Sequence, residues 1–182
     1  MTAPTIAVQI VNYKTRTYLE QCLRSVTGDL LSSALPHCVN VLESASGDRL
    51  QEIVASYPHA RLFESDVNGG FGAGHNFLAS QTDARYLLIL NPDVEFIEAE
   101  TSARLVQTLS DNRGAAAVGP RLVDVAGKPQ QWDHGRLHGV RAQIALRGGH
   151  SHWRAPDRRQ DVAWVSGAVM LISRDAFSAV GG

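Results

Sequence analysis

Tyr86-Leu87-Leu88-Ile89-Leu90-Asn91-Pro92-Asp93-Val94-Glu95 (YLLILNPDVE) decides the reading of this chain. An unbroken apolar run closed by Asn-Pro-Asp reads as a short strand buried on both faces. Such a strand belongs to a mostly parallel sheet flanked by helices. A buried strand ending on oxygen side chains also presents a carboxylate at the sheet edge. There a hard cation is commonly held by one or two carboxylates, with substrate phosphates and waters completing its shell. Asn-Pro-Asp is equally an ordinary turn, so by itself the stretch leaves both readings open.

Upstream the same pattern recurs. Thr5 to Val11 (TIAVQIV) is an apolar, β-branched run ending at Asn12, and Val39 to Leu42 is a second strand running into Glu43-Ser44-Ala45-Ser46-Gly47-Asp48. Between them Leu19, Cys22, Leu23 and Val26 recur at helical spacing, with Thr15 or Thr17 as the cap. Asp48 and Gln51 predict a capping box for a helix with an inward stripe of Leu50, Ile53, Val54 and Tyr57, ended by Pro58. Arg61 to Phe63 is a third strand, followed by a glycine-rich turn and a helix to about Gln81. Strands alternating with helices favour βαβ units and a mostly parallel sheet, whose ligands bind at the carboxyl ends of the strands. The polar clusters at Asn12, at Glu43 to Asp48, at Asn68 to Asn76 and at Asn91 to Glu95 all fall at such ends.

Downstream, Glu98 to Asn112 is predicted as a helix and Ala115 to Val123 as a strand interrupted by Gly119-Pro120. Residues 134–156 carry Arg136, Arg141, Arg147 and Arg154 with His134, His138, His150 and His152 and no acidic residue, and read as a long basic insertion. Trp164 to Ile172 returns to strand character, and Ser173 caps a short helix, Arg174 to Val180.

The glycine-rich stretch Asn68-Gly69-Gly70-Phe71-Gly72-Ala73-Gly74-His75-Asn76 lets the backbone approach a ligand, and the helix start after it offers free N–H groups to an anion. It lacks the Gly-Lys-Ser/Thr of a phosphate-binding P-loop and does not fit G-x-G-x-x-G. A plain glycine-rich connector is the alternative. Glu43 can accept from a base N–H or a ribose hydroxyl, or can be a solvated turn carboxylate. His75 reads either as a phosphate donor or as a histidine making a structural bond, and Ser166 has no Ser-His-Asp arrangement that would make a hydrolase.

Composition bounds these readings. The chain has 182 residues, 44% hydrophobic and 19% charged, which suits one globular domain. A formal net charge of -1 gives no support to nucleic-acid binding. Cys22 and Cys38, with no CxxC pair, read as buried thiols in a reducing compartment rather than a zinc site or disulfide scaffold. No leader and no membrane-spanning run is visible, so the expectation is a cytoplasmic protein that reaches the inner face of the plasma membrane through a partner or acceptor.

Taken together, these stretches resemble family 2 glycosyltransferases, particularly the bacterial rhamnosyltransferase-like and galactofuranosyltransferase-like members. The matching segments, in order, are Val11-Asn12-Tyr13, Glu43 to Asp48, Asn68 to Asn76, Leu90 to Val94, Val118-Gly119-Pro120-Arg121-Leu122, and Val165-Ser166-Gly167-Ala168 leading to Val180-Gly181-Gly182. The resemblance implies a GT-A fold, a nucleotide-diphosphate sugar donor (UDP- or dTDP-sugar), a divalent cation (Mg or Mn) and inverting transfer to a saccharide or lipid-linked acceptor, in cell-wall or polysaccharide biosynthesis.

By position the resemblance places Asn12 and Tyr13 in the nucleotide pocket, Glu43 at the base where the family usually has Asp, and Ser46 and Asp48 in the same loop. Gly70, Phe71 and Asn76 would lie beside the donor, Ser166 and Gly167 on the acceptor side. Asn91-Pro92-Asp93 falls on the family's Asp-x-Asp motif, with Asn91 at its first position and Asp93 as the metal ligand. The implied division is a nucleotide-sugar-binding part, 1–123, and a partial acceptor-side part, 124–182, of one domain. In the family the Gly-Gly pair continues as Gly-Gly-Phe-Asp-Glu toward an acidic pair that supplies the base. The sequence stops at Gly182, so the expected base lies beyond it and the chain as given is expected to transfer little. A non-catalytic nucleotide-sugar-binding remnant is the main alternative. A sugar-nucleotide nucleotidyltransferase is disfavoured, because Asn12-Tyr13-Lys14 stands where a triphosphate loop would be.

Overall fold

The sheet is built outward from its most apolar strands. Strand β1 (Ile6–Asn12) and strand β4 (Tyr86–Leu90) are buried along nearly their whole length, and they pair in parallel with Ile10 opposite Leu90. On the other side of β1 lies β2 (His37–Ser44), in parallel register that sets Asn12 opposite Glu43. Strand β3 (Ala60–Ser65) pairs in parallel with β2 and forms the edge. The structure, a computed structural model, describes residues 3–135 and 158–182. The basic segment picked out in the sequence lies mostly outside the described residues.

Helices cover this sheet. Helix α1 (Arg16–Ser32) buries Leu19, Cys22, Leu23 and Val26, the stripe expected from their spacing. Helix α2 (Gln51–Ala55) is a short connector, helix α3 (Gly70–Ser80) packs on β1 and β2, and helix α4 (Thr101–Asp111) lies beyond β4. After α4 come the two-residue β5 (Ala117–Val118) and, later in the chain, β8 (Val169–Ser173) and helix α5 (Arg174–Ala179). The sheet order is β3-β2-β1-β4-β8-β5, with β8 antiparallel to both its neighbours. The α/β class with a mostly parallel central sheet is as expected.

Two compact units divide the chain: Met1–Val118 with Gly167–Gly182, which holds this sheet, and Gly119–Ser166. In the second unit β6 (His134–Gly135) pairs antiparallel with β7 (Trp164–Val165), and Val123 bridges Pro129. Among its described residues Asp133 is buried, and its carboxylate accepts from the Leu122 N–H at 3.2 Å and from His134 Nδ1 at 2.6 Å.

Several local expectations need correcting. The predicted strand from Ala115 to Val123 is strand only at Ala117–Val118, because at Gly119 the chain leaves the sheet for the second unit. The predicted run from Trp164 to Ile172 is two strands in two units, separated by a turn at Gly167-Ala168. Helix α4 starts at Thr101 rather than Glu98, where the Asp29 carboxylate of α1 accepts from the N–H groups of Thr101 (2.7 Å) and Ser102 (2.9 Å). The glycine-rich stretch is no free turn, for helix α3 begins at Gly70 and takes Gly72 and Gly74 into its first turns. Tertiary packing overrides their poor helix propensity: Gly74 sits so close to β1 and β2 that a Cβ there would lie 2.8 Å from a methyl of Val11. Asp48 does not cap α2, whose N-cap position is Leu50 without a side-chain bond, and Gln51 instead donates to Glu64 at 2.7 Å. The Ser173 cap is as expected, its hydroxyl accepting from the Ala176 N–H at 3.2 Å.

Candidate functional site

The parallel register brings the polar strand ends to one edge. Asn12 stands opposite Glu43, and because Ile10 stands opposite Leu90, the Asn91-Pro92-Asp93 turn falls level with Asn12 on the other side. The N-terminus of α3, with Gly70 and Phe71, follows β3 at the same edge, as a βα turn must in a parallel sheet.

On β4, the chain past Leu90 is held in place by its backbone. The Asn91 N–H donates to the Ala168 carbonyl at 2.9 Å, and the Asn91 carbonyl accepts from the Cys22 thiol at 3.6 Å. Pro92 is buried and Asp93 exposed, so the turn projects one carboxylate outward from a fixed base. Burial, together with the negative charges of Asp93 and Glu95, pushes the Cys22 thiol up to about 12, so it stays an uncharged thiol under this turn. Burial also raises Cys38.

Among the described residues no three His, Cys, Asp or Glu side chains converge as a metal-binding group. That donor set does not make a closed protein cage. The exposed carboxylate of Asp93 could hold a hard cation only with further oxygens supplied by a bound ligand.

The loop after β2 is tightly self-bonded. Glu43 is 6% exposed, and its Oε1 accepts from the Ser46 N–H at 2.7 Å and from the Ser46 hydroxyl. Ser44 donates to Asn68 Oδ1 at 3.2 Å, and the same oxygen accepts from the Gly70 N–H at 2.9 Å, joining this loop to the start of α3. Asn12 is fully buried, with its Nδ2 donating to Asp48 at 2.9 Å and its Oδ1 accepting from Thr15 at 2.8 Å. Tyr13 is exposed beside it, with the Lys14 ammonium 5.3 Å from its ring.

Along α3, Phe71 is exposed and lies edge-on to the His75 ring at 4.4 Å. His75 is buried against Gln9. The Gln9 amide meets Nδ1 at 3.3 Å, and with its oxygen turned to the helix it accepts from the Ala79 N–H at 3.0 Å. Burial lowers the His75 pKa to about 4. The imidazole is therefore neutral, and of the two readings the structural bond is the one formed. Asn76 is exposed on the helix flank beside Gly182 and lines a hollow of about 300 Å³ with Arg174 and Phe177.

Gly167 lies in the first unit, where a Cβ on it would stand 3.1 Å from the Phe71 ring. Ser166 belongs to the second unit, where its N–H donates to the Asp133 carbonyl at 2.8 Å. Within the first unit the structure thus gathers Asn12, Tyr13, Glu43, Ser46, Asp48, Gly70, Phe71, Asn91 and Asp93 at one sheet edge, with Asn76 further down α3. Thr15, Asn68 and Cys22 belong with them by their hydrogen bonds, although the sequence marked Asn68 only as the start of the glycine-rich stretch and Cys22 only as a buried thiol. Thr15 drew attention only as a cap, and nothing in their residue type signals a role.

A sequence model of Glycosyl transferase family 2 matches residues 7–181. The chain is 27% identical over 200 aligned residues to an N-acetylglucosaminyl-diphospho-decaprenol L-rhamnosyltransferase found in two strains of Mycobacterium tuberculosis, covering 97% of this chain and 64% of the relative. The chain thus spans 64% of the length of the curated relatives it matches. Among solved structures it is similar to the mannosyltransferase PcManGT from Pyrobaculum calidifontis in complex with GDP-Man and Mn²⁺, at TM-score 0.65 and 17% identity, over 100% of this chain and 48% of that one. It is also similar to S. aureus TarS 1-349 in complex with UDP, at TM-score 0.56 and 19% identity, over 71% of this chain and 39% of that one. The GT-A-type fold expected from the sequence is the fold observed.

Proposed function

The chain belongs to Glycosyl transferase family 2, and from that premise we propose that its strand-end site binds the nucleotide-diphosphate part of a sugar donor for transfer to a saccharide or lipid-linked acceptor. The observation that carries the reading is the register that sets Asn12, Glu43 and the Asn91-Pro92-Asp93 turn side by side at one sheet edge. In this reading Glu43 faces the base, Tyr13 and Phe71 flank the donor, and the N-terminus of α3 lies toward its phosphates. Asp93 is the ligand of a Mg²⁺ or Mn²⁺ ion, which when bound neutralises charge on the departing diphosphate. Gly167 and Ser166 belong to the acceptor side, and transfer proceeds with inversion.

Two relatives lend chemistry to the proposal by their names: one acts on a lipid-linked diphosphate sugar, and another was seen with GDP-Man and Mn²⁺. UDP- and dTDP-sugars remain the donors proposed here. Among the described residues no helix is long and apolar enough to cross a membrane. The proposed place of contact with a lipid-linked acceptor is the inner face of the plasma membrane.

Calorimetric titration with UDP, dTDP and GDP, each with and without Mn²⁺, tests the reading. One nucleotide is expected to bind in a metal-dependent way, and Asp93→Ala to weaken that binding at least about tenfold, as loss of a charged contact should. Absence of binding by all three nucleotides would overturn the proposal. Equal binding by Asp93→Ala with Mn²⁺ would remove the metal role alone.

A further inference from the structure

We propose that Asn12 is a positioning residue that sets base selectivity without touching the nucleotide, acting through Asp48 and Ser46 on the carboxylate of Glu43. The inference rests on the donor-site reading above and goes beyond it, since that reading takes Asn12 as a pocket wall.

Asn12 is closed to a ligand by its burial, and both its polar atoms are engaged within the protein. It is 0% exposed, its Nδ2 donates to Asp48 Oδ2 at 2.9 Å, and its Oδ1 accepts from the Thr15 hydroxyl at 2.8 Å. Thr15 and Asp48 fix the amide's orientation, because only its nitrogen can face a carboxylate. Asp48 Oδ2 also accepts from the Arg16 N–H at 3.3 Å, so the loop after β2 is tied to the first turn of α1. The Asn12 bond is the largest cause holding the Asp48 carboxyl below its ordinary range, against the opposing effect of partial burial.

From Asp48 the connection runs back to the base-facing group. The Asp48 N–H donates to Ser46 Oγ at 3.3 Å, and Ser46 donates both its N–H (2.7 Å) and its hydroxyl to Glu43 Oε1. Among the described residues the side-chain hydrogen bonds of Glu43 are made through Oε1 alone, which leaves Oε2 to accept from a ligand. Where Oε2 points is therefore set by Ser46, and where Ser46 sits is set by Asp48 and Asn12. A glutamate here has one more rotatable bond than an aspartate. The short Glu43–Ser46 turn removes that freedom, and the Asn12–Asp48 bond holds the turn to β1.

The ligand chemistry follows. Uracil and thymine carry a ring N3–H and guanine a ring N1–H, which a carboxylate accepts, whereas cytosine presents an acceptor at N3 and its donor at the exocyclic N4 amine, out of line with a carboxylate aimed at the ring nitrogen. A fixed Glu43 carboxylate thus favours UDP, dTDP or GDP over CDP, and a loosened one loses that preference. General destabilisation of the fold would lower the affinity of all four alike.

The test measures dissociation constants of UDP, dTDP, GDP and CDP with Mn²⁺ for the unmodified chain, Asn12→Asp, Ser46→Ala, and the exchange pair Asn12→Asp/Asp48→Asn. Asn12→Asp sets two carboxylates against each other and is expected to cut the preference over CDP about tenfold, the worth of a well-directed hydrogen bond to a charged group. The exchange pair restores the bond with donor and acceptor reversed and is expected to recover most of the preference. Ser46→Ala removes the hydroxyl link from a half-buried position and is expected to lose the preference even if Asn12→Asp does not fold. If the preferred nucleotide kept its margin over CDP in both Asn12→Asp and Ser46→Ala, the inference would be overturned while the donor-site reading stood. If the unmodified chain bound none of the four, the donor-site reading would fall and this inference with it.

Discussion

Gly74→Ala and Gly72→Ala lie two residues apart on α3, yet the structure assigns them opposite signs. A Cβ on Gly74 would stand 2.8 Å and 3.1 Å from the two methyls of Val11 and 3.3 Å from Leu42 Cδ2. The shortest of these falls about 0.6 Å inside ordinary contact at 3.4 Å. Val11 is β-branched and lies in a parallel strand, so its χ1 cannot turn the methyls away. Helix α3 must then lift from β1 and β2. Overpacking of this kind costs about 1–3 kcal/mol, against a helix-propensity gain of about 0.5–1 kcal/mol for replacing glycine by alanine. The expected net loss for Gly74→Ala is about 1–2 kcal/mol. Gly72 has nothing within 4 Å of its Cβ position, so Gly72→Ala keeps the propensity gain alone, about 0.5–1 kcal/mol of added stability. Urea unfolding of both variants at one pH measures the difference between them. If Gly74→Ala proved as stable as Gly72→Ala, α3 would not be seated on β1 as described, and the placement of Gly70 and Phe71 at the strand ends would fall with it.

Asp29→Ala removes the acceptor of two N–H groups at the start of α4 from a site 6% exposed. It is expected to cost about 1–2 kcal/mol in chemical denaturation, and no loss would show that α4 does not depend on this cap. His75 gives a pH dependence with a definite sign. Burial lowers its pKa to about 4 while the unfolded chain protonates near 6.5, so its contribution is complete above pH 6.5 and is lost as pH falls toward 4. The slope in that window is about 1 kcal/mol per pH unit, and His75→Asn, which keeps a polar atom toward Gln9, is expected to flatten it. Identical pH–stability curves for the two proteins would show that His75 is accessible to protons in the folded state.

What the sequence made legible follows from which forces are local. Strand β4 was bounded at Tyr86 and Leu90 because an apolar run closed by Asn-Pro states both its burial and its end. The α1 stripe and the Ser173 cap were equally readable, since spacing and capping chemistry act within one element. The direction of β8 was not, because an apolar strand carries no mark of whether it runs parallel or antiparallel to its neighbour. Nor was the length of β5, which depends on where Gly119 turns the chain out of the sheet. Asp48 was misread for a related reason. An aspartate before an apolar stripe is a good local cap, but the Asn12 amide of β1 and the Arg16 N–H of α1, both from other elements, hold its carboxylate instead.

The polar residues gathered at the strand ends are of two physical kinds, and residue type alone does not separate them. An Asn, Asp or Glu in such a loop can be kept for a ligand or can hold the loop that meets the ligand. The separating quantity is how much of its hydrogen-bonding capacity the protein itself consumes. Asp93 is exposed on a turn whose backbone is fastened by Ala168 and Cys22, so its carboxylate remains available. Asn12 has both polar atoms engaged at 0% exposure, and Glu43 stands between, with one oxygen given to Ser46. Preorganisation requires this mixture, because a carboxylate aimed by its neighbours loses little further freedom when a ligand arrives. Residues of the first kind act by their charge and should respond to metal and salt. Residues of the second kind act by geometry, and only a partner-for-partner exchange such as that between Asn12 and Asp48 separates the loss of a contact from the loss of an orientation.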